Sequence, residues 1–393
     1  MRKGWEYKKL GEVCCPKSKI QRATKCFGGS DEILYIDISS IDNSVQEVNS
    51  ITSFTMSNAP SRAQQKVEYG DIIVSTVRPN LKNVAFIKQH DSNLVASSGF
   101  CVLRTTDDIE RNYLFRYITS DIFTQHLMKL TTGANYPAVR DLDVRDSTIP
   151  LPPKSTQLAI VSELDKINEL IRLKKEQLKD FDNLAQSLFY EMFGDPVENE
   201  KGWEVKKLND IVSDNCSISY GIVQPGDGVE NGVPVVRPVD MTKTFVSRKG
   251  LKNTTKEISD SYKRTILKGN EILMCVRGTT GLISMATPEL QGCNVTRGIA
   301  PIECGPTCDK WFVFYQILNP AIQHHIAEYT RGIALKQINM KDVRDIPLCL
   351  PPLSLQRLFA QRIEQIEREK SEVQKSIQDL ETLLASRMQY WFE

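Results

Sequence analysis

Two long stretches of the chain carry apolar residues at alternating intervals of four and three positions. Nine of the ten positions are apolar in the first stretch and eight of the ten in the second. The first ten are Ile160, Leu164, Ile167, Ile171, Lys174, Leu178, Phe181, Ala185, Leu188 and Met192. The second ten are Phe359, Ile363, Ile366, Lys370, Val373, Ile377, Leu380, Leu384, Arg387 and Trp391. This spacing is that of a heptad seam, and two such seams in one chain most simply pack on each other as a coiled coil.

Three charged residues interrupt these seams. They are Lys174, Lys370 and Arg387. Two interpretations remain open: the charges set the register of the helices, or they extend along an open seam into solvent. The first helix is expected to end near Gly194, because Pro196 follows that glycine closely and cannot continue a helix. The second helix is expected to run almost to the C-terminus.

Short strands are predicted ahead of each long helix. In the first half, β-branched and apolar runs separated by Gly, Asn and Asp predict strands near residues 32–41, 71–77, 83–87 and 99–104, in a mixed sheet. Helical spacing then predicts one helix over residues 112–130 and its counterpart over 311–329. A run ending in two prolines follows in each half, where the strand must stop and the long helix begins.

The same pattern occurs twice along the chain, 199 residues apart. The offset pairs Gly133 with Gly332, Arg78 with Arg277, and Gln157 with Gln356 without a gap. The segments that open the two halves, WEYKKL and WEVKKL, match one residue short of this offset. A period this long exceeds that of solenoid repeats, so the chain is a tandem duplication of two modules of ordinary domain size.

Composition excludes several classes of protein. With 393 residues and 40% hydrophobic content, the chain can bury two cores of domain size. Its start lacks the apolar core of a signal peptide, and no apolar run is long enough to cross a bilayer, so a cytoplasmic location is expected. The net charge is +1, which does not by itself indicate a nucleic-acid binder. Eight basic residues nevertheless crowd residues 243–268, either as a solvated loop or as a phosphate-facing patch.

Motifs for catalysis or metal binding do not emerge from the sequence. There is no Walker A loop and no (N/D)PP(Y/F) segment for holding a flipped base. The spacing of residues also identifies no catalytic nucleophile with a neighbouring base. The four histidines are too few and too scattered for a metal site. Cys304 and Cys308 lie near Cys293, but Thr105 and Ile109 replace the first two in the other half. We therefore expect reduced, mostly buried cysteines and no metal.

The repeated order of these motifs resembles the DNA-specificity subunit of type I restriction–modification systems. Each half opens with W-E-x-K-K-L, continues through a G-[DN]-[EI]-[IL] strand with a downstream arginine, and closes in T-x-G, IPLPP or its variant and a glutamine before the long helix. Single motifs are widespread, but their order, repeated at nearly one offset, covers almost the entire chain. The resemblance implies a mixed α/β (α+β) fold with two target recognition domains and two long helices paired as an antiparallel coiled coil.

The resemblance also implies a division of labour. Target recognition domains are expected at residues 1–153 and 200–352, with spacer helices at 154–199, including a linker, and at 353–393. Each domain would read one half of a bipartite double-stranded DNA site. The chain would be non-catalytic and would organise two methyltransferase subunits and the restriction–translocase subunits. S-adenosylmethionine, ATP and Mg are expected on those partners, not on this chain. The alternative is a protein-binding scaffold whose two domains no longer read DNA.

Candidate DNA contacts lie in turns that follow strands, with side chains whose donors and acceptors fit base edges. In the first half they are Arg78, Asn80, Lys82, Asn83, Asn135, Tyr136 and Arg140. In the second half they are Arg277, Thr279, Thr280, Arg331, Lys336 and Gln337. The basic stretch adds Lys249, Lys252 and Lys256 as phosphate contacts.

The alternative for Arg78 and Arg277 is an internal ion pair that stabilises a strand end. The Val-Arg-Asp triplets at 144–146 and 343–345 are expected to be structural, each a charge pair leading into the final strand.

Overall fold

The structure, a computed structural model, describes residues 4–133, 136–226, 228–332 and 335–393. The chain divides into two compact units. The first unit contains Met1–Lys175 and Lys375–Glu393, and the second contains Glu176–Gln374. Each unit therefore combines most of one half of the duplication with a segment of the long helix that belongs to the other half.

The first half of the chain alternates short strands with short helices before its long helix. The strands are β1 (Glu6–Lys9), β2 (Glu32–Ile36), β3 (Ile41–Asp42), β4 (Glu47–Val48), β5 (Thr52–Thr55), β6 (Ala63–Lys66), β7 (Ile72–Ser75), β8 (Val84–Phe86), β9 (Leu94–Ser97), β10 (Phe100–Leu103) and β11 (Thr148–Leu151). The helices are α1 (Leu10–Val13), α2 (Ala23–Cys26), α3 (Arg111–Ile118), α4 (Asp121–Leu130), α5 (Asp141–Arg145) and α6 (Lys154–Phe193).

Two sheets organise the first unit. Strands β5, β2, β9 and β6 form one sheet in that order, with β2 and β9 parallel and the other neighbours antiparallel. Strands β10, β7 and β8 form an antiparallel sheet, and β1 pairs with β11. Ile33, Ile72, Ile73 and Leu94 are fully buried on these strands. The predicted mixed sheet is confirmed, because parallel and antiparallel neighbours share one sheet.

The second half repeats this order. Its strands are β12 (Glu204–Lys207), β13 (Val233–Val236), β14 (Lys252–Thr254), β15 (Ile272–Cys275), β16 (Ile283–Met285), β17 (Asn294–Val295), β18 (Ile299–Ile302) and β19 (Pro347–Leu350). Its helices are α7 (Leu208–Ile211), α8 (Lys256–Asp260), α9 (Lys310–Leu318), α10 (Pro320–Glu328), α11 (Met340–Arg344) and α12 (Leu353–Phe392). Strands β14, β13 and β17 form one sheet, with β13 and β17 parallel; β16, β15 and β18 form an antiparallel one; and β12 pairs with β19.

The single helix predicted over residues 112–130 is wrong, because the structure has two helices there, α3 and α4. The Ser120 hydroxyl accepts a hydrogen bond from the Phe123 N–H at 3.2 Å and donates one to the Tyr117 carbonyl at 2.6 Å. A serine in this position starts a new helix by satisfying a free backbone donor. The helix predicted over 311–329 is interrupted in the same way, by the Asn319 cap and by Pro320 as the first residue of α10.

The two long helices pack antiparallel within each unit. In the first unit Glu163 of α6 contacts Arg387 of α12, and Lys175 contacts Glu381 at 3.0 Å. The residue numbers of the α12 partners decrease as the residue numbers along α6 increase, so the two helices run antiparallel. In the second unit, Asp182 and Phe189 of α6 contact Lys370 and Phe359 of α12, respectively. Every predicted seam position is buried or half-buried. The predicted antiparallel coiled coil is confirmed.

Two of the charged seam residues form ion pairs between the helices. The Lys370 ammonium lies 2.7 Å from Asp182 on α6 and 2.8 Å from Glu367 on its own helix. Burial lowers the pKa of Lys370, but hydrogen bonds to these two carboxylates outweigh it, so its pKa is raised. Arg387 pairs with Glu163, which also accepts a hydrogen bond from the Trp391 indole at 3.0 Å. These contacts specify which positions face each other, which favours the register interpretation for these residues.

Aromatic rings near the ends of the long helices complete both cores. In the first unit the Phe392 ring centroid lies 5.4 Å from that of Tyr113. In the second unit Phe193 lies 4.7 Å from Phe312 and 5.3 Å from Phe359. Phe392 belongs to the second half of the duplication and Phe193 to the first. Each half of the sequence therefore supplies an aromatic residue to the core that the other half builds.

The residues shared between the halves have matching structural roles. Gln157 accepts a hydrogen bond from the Glu110 N–H at 2.7 Å and donates one to the Pro152 carbonyl at 2.9 Å. Gln356 does the same with the Asp309 N–H at 2.9 Å and the Pro351 carbonyl at 2.7 Å. Both glutamines are buried. In each half, the glutamine therefore ties the start of the long helix to the residue that caps α3 or α9.

The Val-Arg-Asp triplets are structural, but the predicted charge pair within each triplet is wrong. Arg145 pairs with Asp141 one helical turn earlier, at 3.0 Å, and donates hydrogen bonds to two backbone carbonyls. Asp146 instead pairs at 2.9 Å with Lys9, the second lysine of the opening WEYKKL segment. The second half repeats this contact at 2.7 Å between Asp345 and Lys207. Adjacent residues of a short helix point in different directions, so the arginine and aspartate find separate partners.

We expect Gln157→Ala and Gln356→Ala each to lower the free energy of unfolding by about 1–3 kcal/mol, because each leaves a buried N–H and a buried carbonyl without a partner. Urea unfolding followed by circular dichroism and tryptophan fluorescence measures the loss. Gln361→Ala is the matched control, because Gln361 lies on the same helix as Gln356 but is exposed. Losses no larger than that of the control would contradict the assigned role.

The pair formed by Glu163 and Arg387 predicts a pH dependence. The hydrogen bond from Arg387 lowers the pKa of Glu163 below its ordinary value of 4.5. A carboxyl whose pKa is lower in the folded state contributes stability above its unfolded pKa, and this is lost as pH falls through the folded value. We expect the melting temperatures of the wild type and Glu163→Gln to differ at pH 7 and to approach each other as the pH falls below the ordinary glutamate pKa of 4.5. Glu364→Gln, which changes an exposed carboxylate of α12, should show no such convergence.

Candidate nucleic-acid interface

Two loops of the first unit lie side by side and carry most of its predicted contacts. One follows β7, and the other connects α4 with α5. The Arg78 N–H donates to the Pro137 carbonyl at 2.7 Å, and the Val139 N–H donates to the Thr76 carbonyl at 2.9 Å. The two groups of candidates, which are far apart in the sequence, therefore meet on one surface.

The shared glycine of the second loop has a steric reason in each half. Gly133 and Gly332 have φ angles of 92° and 101°, a region that side chains rarely adopt. An added Cβ would lie 3.0 Å from the Tyr136 carbonyl oxygen in the first half and 2.4 Å from the Leu335 carbonyl oxygen in the second. Glycine is thus required for the chain to turn at this position.

The first-unit candidates differ in how free their side chains are. Arg78 and Tyr136 are exposed, and the Arg78 guanidinium lies 4.5 Å from the centre of the Tyr136 ring. Asn80 is exposed in the single 3-10 turn Pro79–Leu81 that follows Arg78. These three residues form an exposed polar and aromatic group of the kind that contacts base edges.

The remaining first-unit candidates have other partners or are less exposed. Lys82 forms an ion pair with Asp121 at 2.6 Å, and Arg140 forms one with Asp143 at 2.6 Å. Asn83 is half-buried, and its carbonyl accepts the Ser75 N–H. Solvent-exposed ion pairs contribute little to the free energy of folding. Lys82 and Arg140 can therefore leave these partners to bind a phosphate. The predicted contact at position 135 lies outside the described residues.

The second unit brings its candidates together through the equivalent loops. Arg277 and Arg331 each form a backbone β-bridge with Gln337. The Gly278 N–H donates to the Lys336 carbonyl at 2.9 Å. Thr280 also belongs to this group, because its hydroxyl lies 3.1 Å from that of Thr330. The second-half loop candidates therefore also gather on one surface, with Thr279 exposed beside them.

The internal ion pair considered from the sequence for Arg78 and Arg277 is absent from the described residues. The sequence offset pairs these arginines, but in the structure the N–H that meets the second loop belongs to Arg78 in the first unit and to Gly278 in the second. Among the described residues, no carboxylate pairs with Arg78 or with Arg277. Arg78 is exposed, and Arg277 is half-buried. Arg331 and Lys336 are exposed, and the described part of the chain offers them no carboxylate partner either. These cationic groups are available to an external acceptor such as a base edge or a phosphate.

The basic stretch consists of exposed lysines and of cations already bound within the protein. Lys249, Lys252 and Lys256 are exposed, and the last two begin β14 and α8. Lys268 pairs with Glu303 at 2.6 Å, and the hydrogen bond to that carboxylate raises the pKa of Lys268. Arg248 donates to the Glu289 carbonyl at 2.7 Å. The three exposed lysines selected from the sequence remain the candidates for phosphate contacts.

The described residues contain no cluster of three or more metal-ligating side chains, and all ten cysteines are free thiols. Within the same ranges, no helix combines the length and the apolar character that a membrane crossing requires.

Leu335 was missed among the sequence candidates. It occupies the position equivalent to Tyr136, is 49% exposed, and lies on the same loop as Arg331 and Lys336. The duplication offset alone would have identified it, because residue 136 plus the offset is residue 335. Each half thus exposes a large side chain at this point of its second loop.

Comparison with known proteins identifies the family. The model of the type I restriction modification DNA specificity domain matches residues 2–180 and again residues 200–382. The chain belongs to this family. The two matches correspond to the two halves of the duplication, and together they cover most of the chain. The resemblance inferred from the repeated motifs is therefore confirmed.

Individual relatives of this specificity chain agree with the family. It is 24% identical over 283 residues to the type I restriction enzyme EcoBI specificity subunit of Escherichia coli, a match that covers 66% of this chain and 57% of that one. It is 22% identical over 336 residues to the MjaIX specificity subunit of Methanocaldococcus jannaschii, covering 79% and 74%. A solved chain from a study of complex assembly and conformational transition of the type I R-M system aligns with a TM-score of 0.67 and 27% identity, over 100% of this chain and 98% of that one.

Replacing Arg277 and replacing the exposed lysines should have different effects on DNA binding. Contacts to bases determine which sequence is bound, whereas contacts to phosphates fix the position of the protein on the duplex. Arg277→Ala should weaken binding to the preferred duplex by about 1–3 kcal/mol and relax discrimination at one base pair. Lys249→Ala, Lys252→Ala and Lys256→Ala should weaken binding to all duplexes alike. Each should also flatten the slope of log affinity against log salt by roughly one unit.

A salt titration of preferred and scrambled duplexes with each variant separates these outcomes. If Arg277→Ala unfolds the protein while the molecules that stay folded discriminate normally, Arg277 has a structural role. The base-reading surface of the second unit must then be sought among residues 331–337.

Proposed function

We propose that this chain is the non-catalytic subunit that reads a bipartite DNA sequence, with each unit contacting one part of the site. The observation that carries the proposal is the duplicated pair of loops. Each half carries an arginine just after the corresponding strand, Arg78 or Arg277, and surrounds it with different side chains, although the two arginines are one residue out of register in the structure. An arginine in each loop suits contact with a guanine, and different neighbours and a different register suit two different base sequences.

The chemistry of each loop pair supports two separate readings. Arginine binds guanine through two parallel hydrogen bonds, asparagine binds adenine in the same way, and threonine and small apolar groups contact thymine. The first unit exposes Arg78 and Asn80, whereas the second places Thr279 and Thr280 after Arg277. We infer that the two parts of the DNA site differ in base composition.

We further propose that the long helices bind the catalytic partners: two methyltransferase subunits and, for cleavage, restriction–translocase subunits. Several large apolar residues on these helices face solvent, and they are Leu170, Leu173, Leu184, Leu358 and Leu383. Three of them lie on α6 and two on α12, and repeated exposed apolar residues along a helix favour a protein partner. We assign S-adenosylmethionine, ATP and Mg to those partners.

The second candidate function is a scaffold whose domains bind proteins and no longer DNA. The same exposed leucines favour it, since they require no nucleic acid. The two functions differ in what the loop residues do. Only a DNA reader should lose discrimination at a single base pair when a loop arginine is removed.

We expect replacement of residues 1–153 by the matching segment of another family member to change one part of the selected DNA sequence and to leave the other part unchanged. Each unit carries its own loops, so each should act separately. The donor segment should retain an aromatic residue at the position of Tyr113, because Phe392 packs there in the first unit. Selection of random duplexes by the purified full-length chain identifies the preferred sequence.

The reciprocal replacement of residues 200–352 is the matched control and should change only the other part. A change in both parts after either replacement would contradict separate reading. Failure of the wild-type chain to enrich any duplex would favour the protein scaffold.

A further inference from the structure

Arg78 and Tyr136 form a cation–π pair at the surface of the first unit. The guanidinium carbon lies 4.5 Å from the ring centroid, within the range of a cation–π contact. Tyr136 is 67% exposed, which is high for a tyrosine that contacts only its own protein. The guanidinium lies over the ring, and its N–H groups have no carboxylate partner among the described residues.

The backbone holds Arg78 in an unusual conformation for this contact. Its φ and ψ angles are 50° and 60°, in the left-handed region, which costs a non-glycine residue roughly 1 kcal/mol or more. The Arg78 N–H donates to the carbonyl of Pro137, the residue that follows Tyr136. One loop therefore supplies both the ring and the acceptor that fixes the arginine backbone, so the pair is preorganised.

The second unit lacks this pair. The residue equivalent to Tyr136 is Leu335, which has no aromatic face. The positive φ belongs to Gly278 instead, with a value of 96°, and Arg277 itself is half-buried. The loops still meet, but through the Gly278 N–H and the Lys336 carbonyl. Gly278 thus takes the structural place of Arg78, and Arg277 lies one residue earlier in its loop.

We propose that Tyr136 is a positioning residue for DNA reading by the first unit: it holds the Arg78 guanidinium by its face and directs the N–H fork toward a guanine edge. The fork matches the two acceptors of guanine only in one orientation, and immobilising it in advance reduces the entropy lost on binding. The second unit has Leu335 in place of Tyr136 and Gly278 in the structural place of Arg78, so it has no equivalent pair. This inference rests on the proposed function, because it presumes that Arg78 contacts a base.

The test compares full-length variants on duplexes selected by the wild-type chain, with each base pair of the first half-site replaced in turn. The base pair at which Arg78→Ala loses its preference defines the contact. At that base pair, Tyr136→Ala and Tyr136→Leu should each reduce the preference by about two- to thirtyfold, the range of a cation–π contact. Tyr136→Phe keeps the ring and should retain the preference. The double variant should discriminate no worse than Arg78→Ala alone.

Tyr136→Leu and Leu335→Ala are the informative controls. Tyr136→Leu reproduces the residue of the second unit and keeps apolar bulk, so a loss there requires the aromatic face. Leu335→Ala should leave the first half-site unaffected. Since Tyr136 is largely exposed, its variants should keep the wild-type circular dichroism spectrum.

Three results would overturn the inference. Normal preference in Tyr136→Ala, at the base pair where Arg78→Ala loses it, would show that the ring does not position the arginine. Equal weakening on all duplexes would mean that the ring binds DNA directly, without regard to sequence. If the wild-type chain selects no duplex at all, the proposed function fails and this inference fails with it.

Discussion

The burial of the helix seam is the constraint on which the rest of the structure depends. Helix α6 starts in the first unit and ends in the second, and α12 starts in the second unit and ends in the first. Each core is completed by a residue from the other half, Phe392 in the first unit and Phe193 in the second. A fully buried phenylalanine contributes roughly 1.5–3 kcal/mol by removal from water, so neither half would keep its full core alone. The duplication is therefore a packing requirement as well as a sequence pattern.

This arrangement separates residues that maintain the fold from residues that can vary. The motifs shared between the halves serve internal contacts: Gln157 and Gln356 satisfy buried backbone groups, and Lys9 and Lys207 pair with Asp146 and Asp345. The residues that differ after Arg78 and Arg277 lie in loops, where substitutions disturb few buried groups. A protein that reads a new DNA sequence can change these loops while its seams and strand pairs stay intact.

The sequence predicted the fold well where one periodicity acts alone. The seam positions from Ile160 to Trp391 and the strands around Tyr35 and Val74 follow from spacing. The break at Ser120 was missed because apolar spacing continues through it, and only the cap shows that a new helix begins. The exchange of Phe392 between halves was also missed, since sequence order assigns it to its own repeat.

The candidate site was predictable in part, because strand ends and the duplication offset located both loop pairs. The contact between Arg78 and Tyr136 depends on a left-handed backbone that no local pattern indicates. The central claim is that each unit reads its own part of a DNA site. Methylation interference at guanine on the duplex selected by the wild-type chain tests it most directly. Two separate groups of interfering guanines, with unaffected base pairs between them, are the expected result; a single continuous group, or none, would contradict the account.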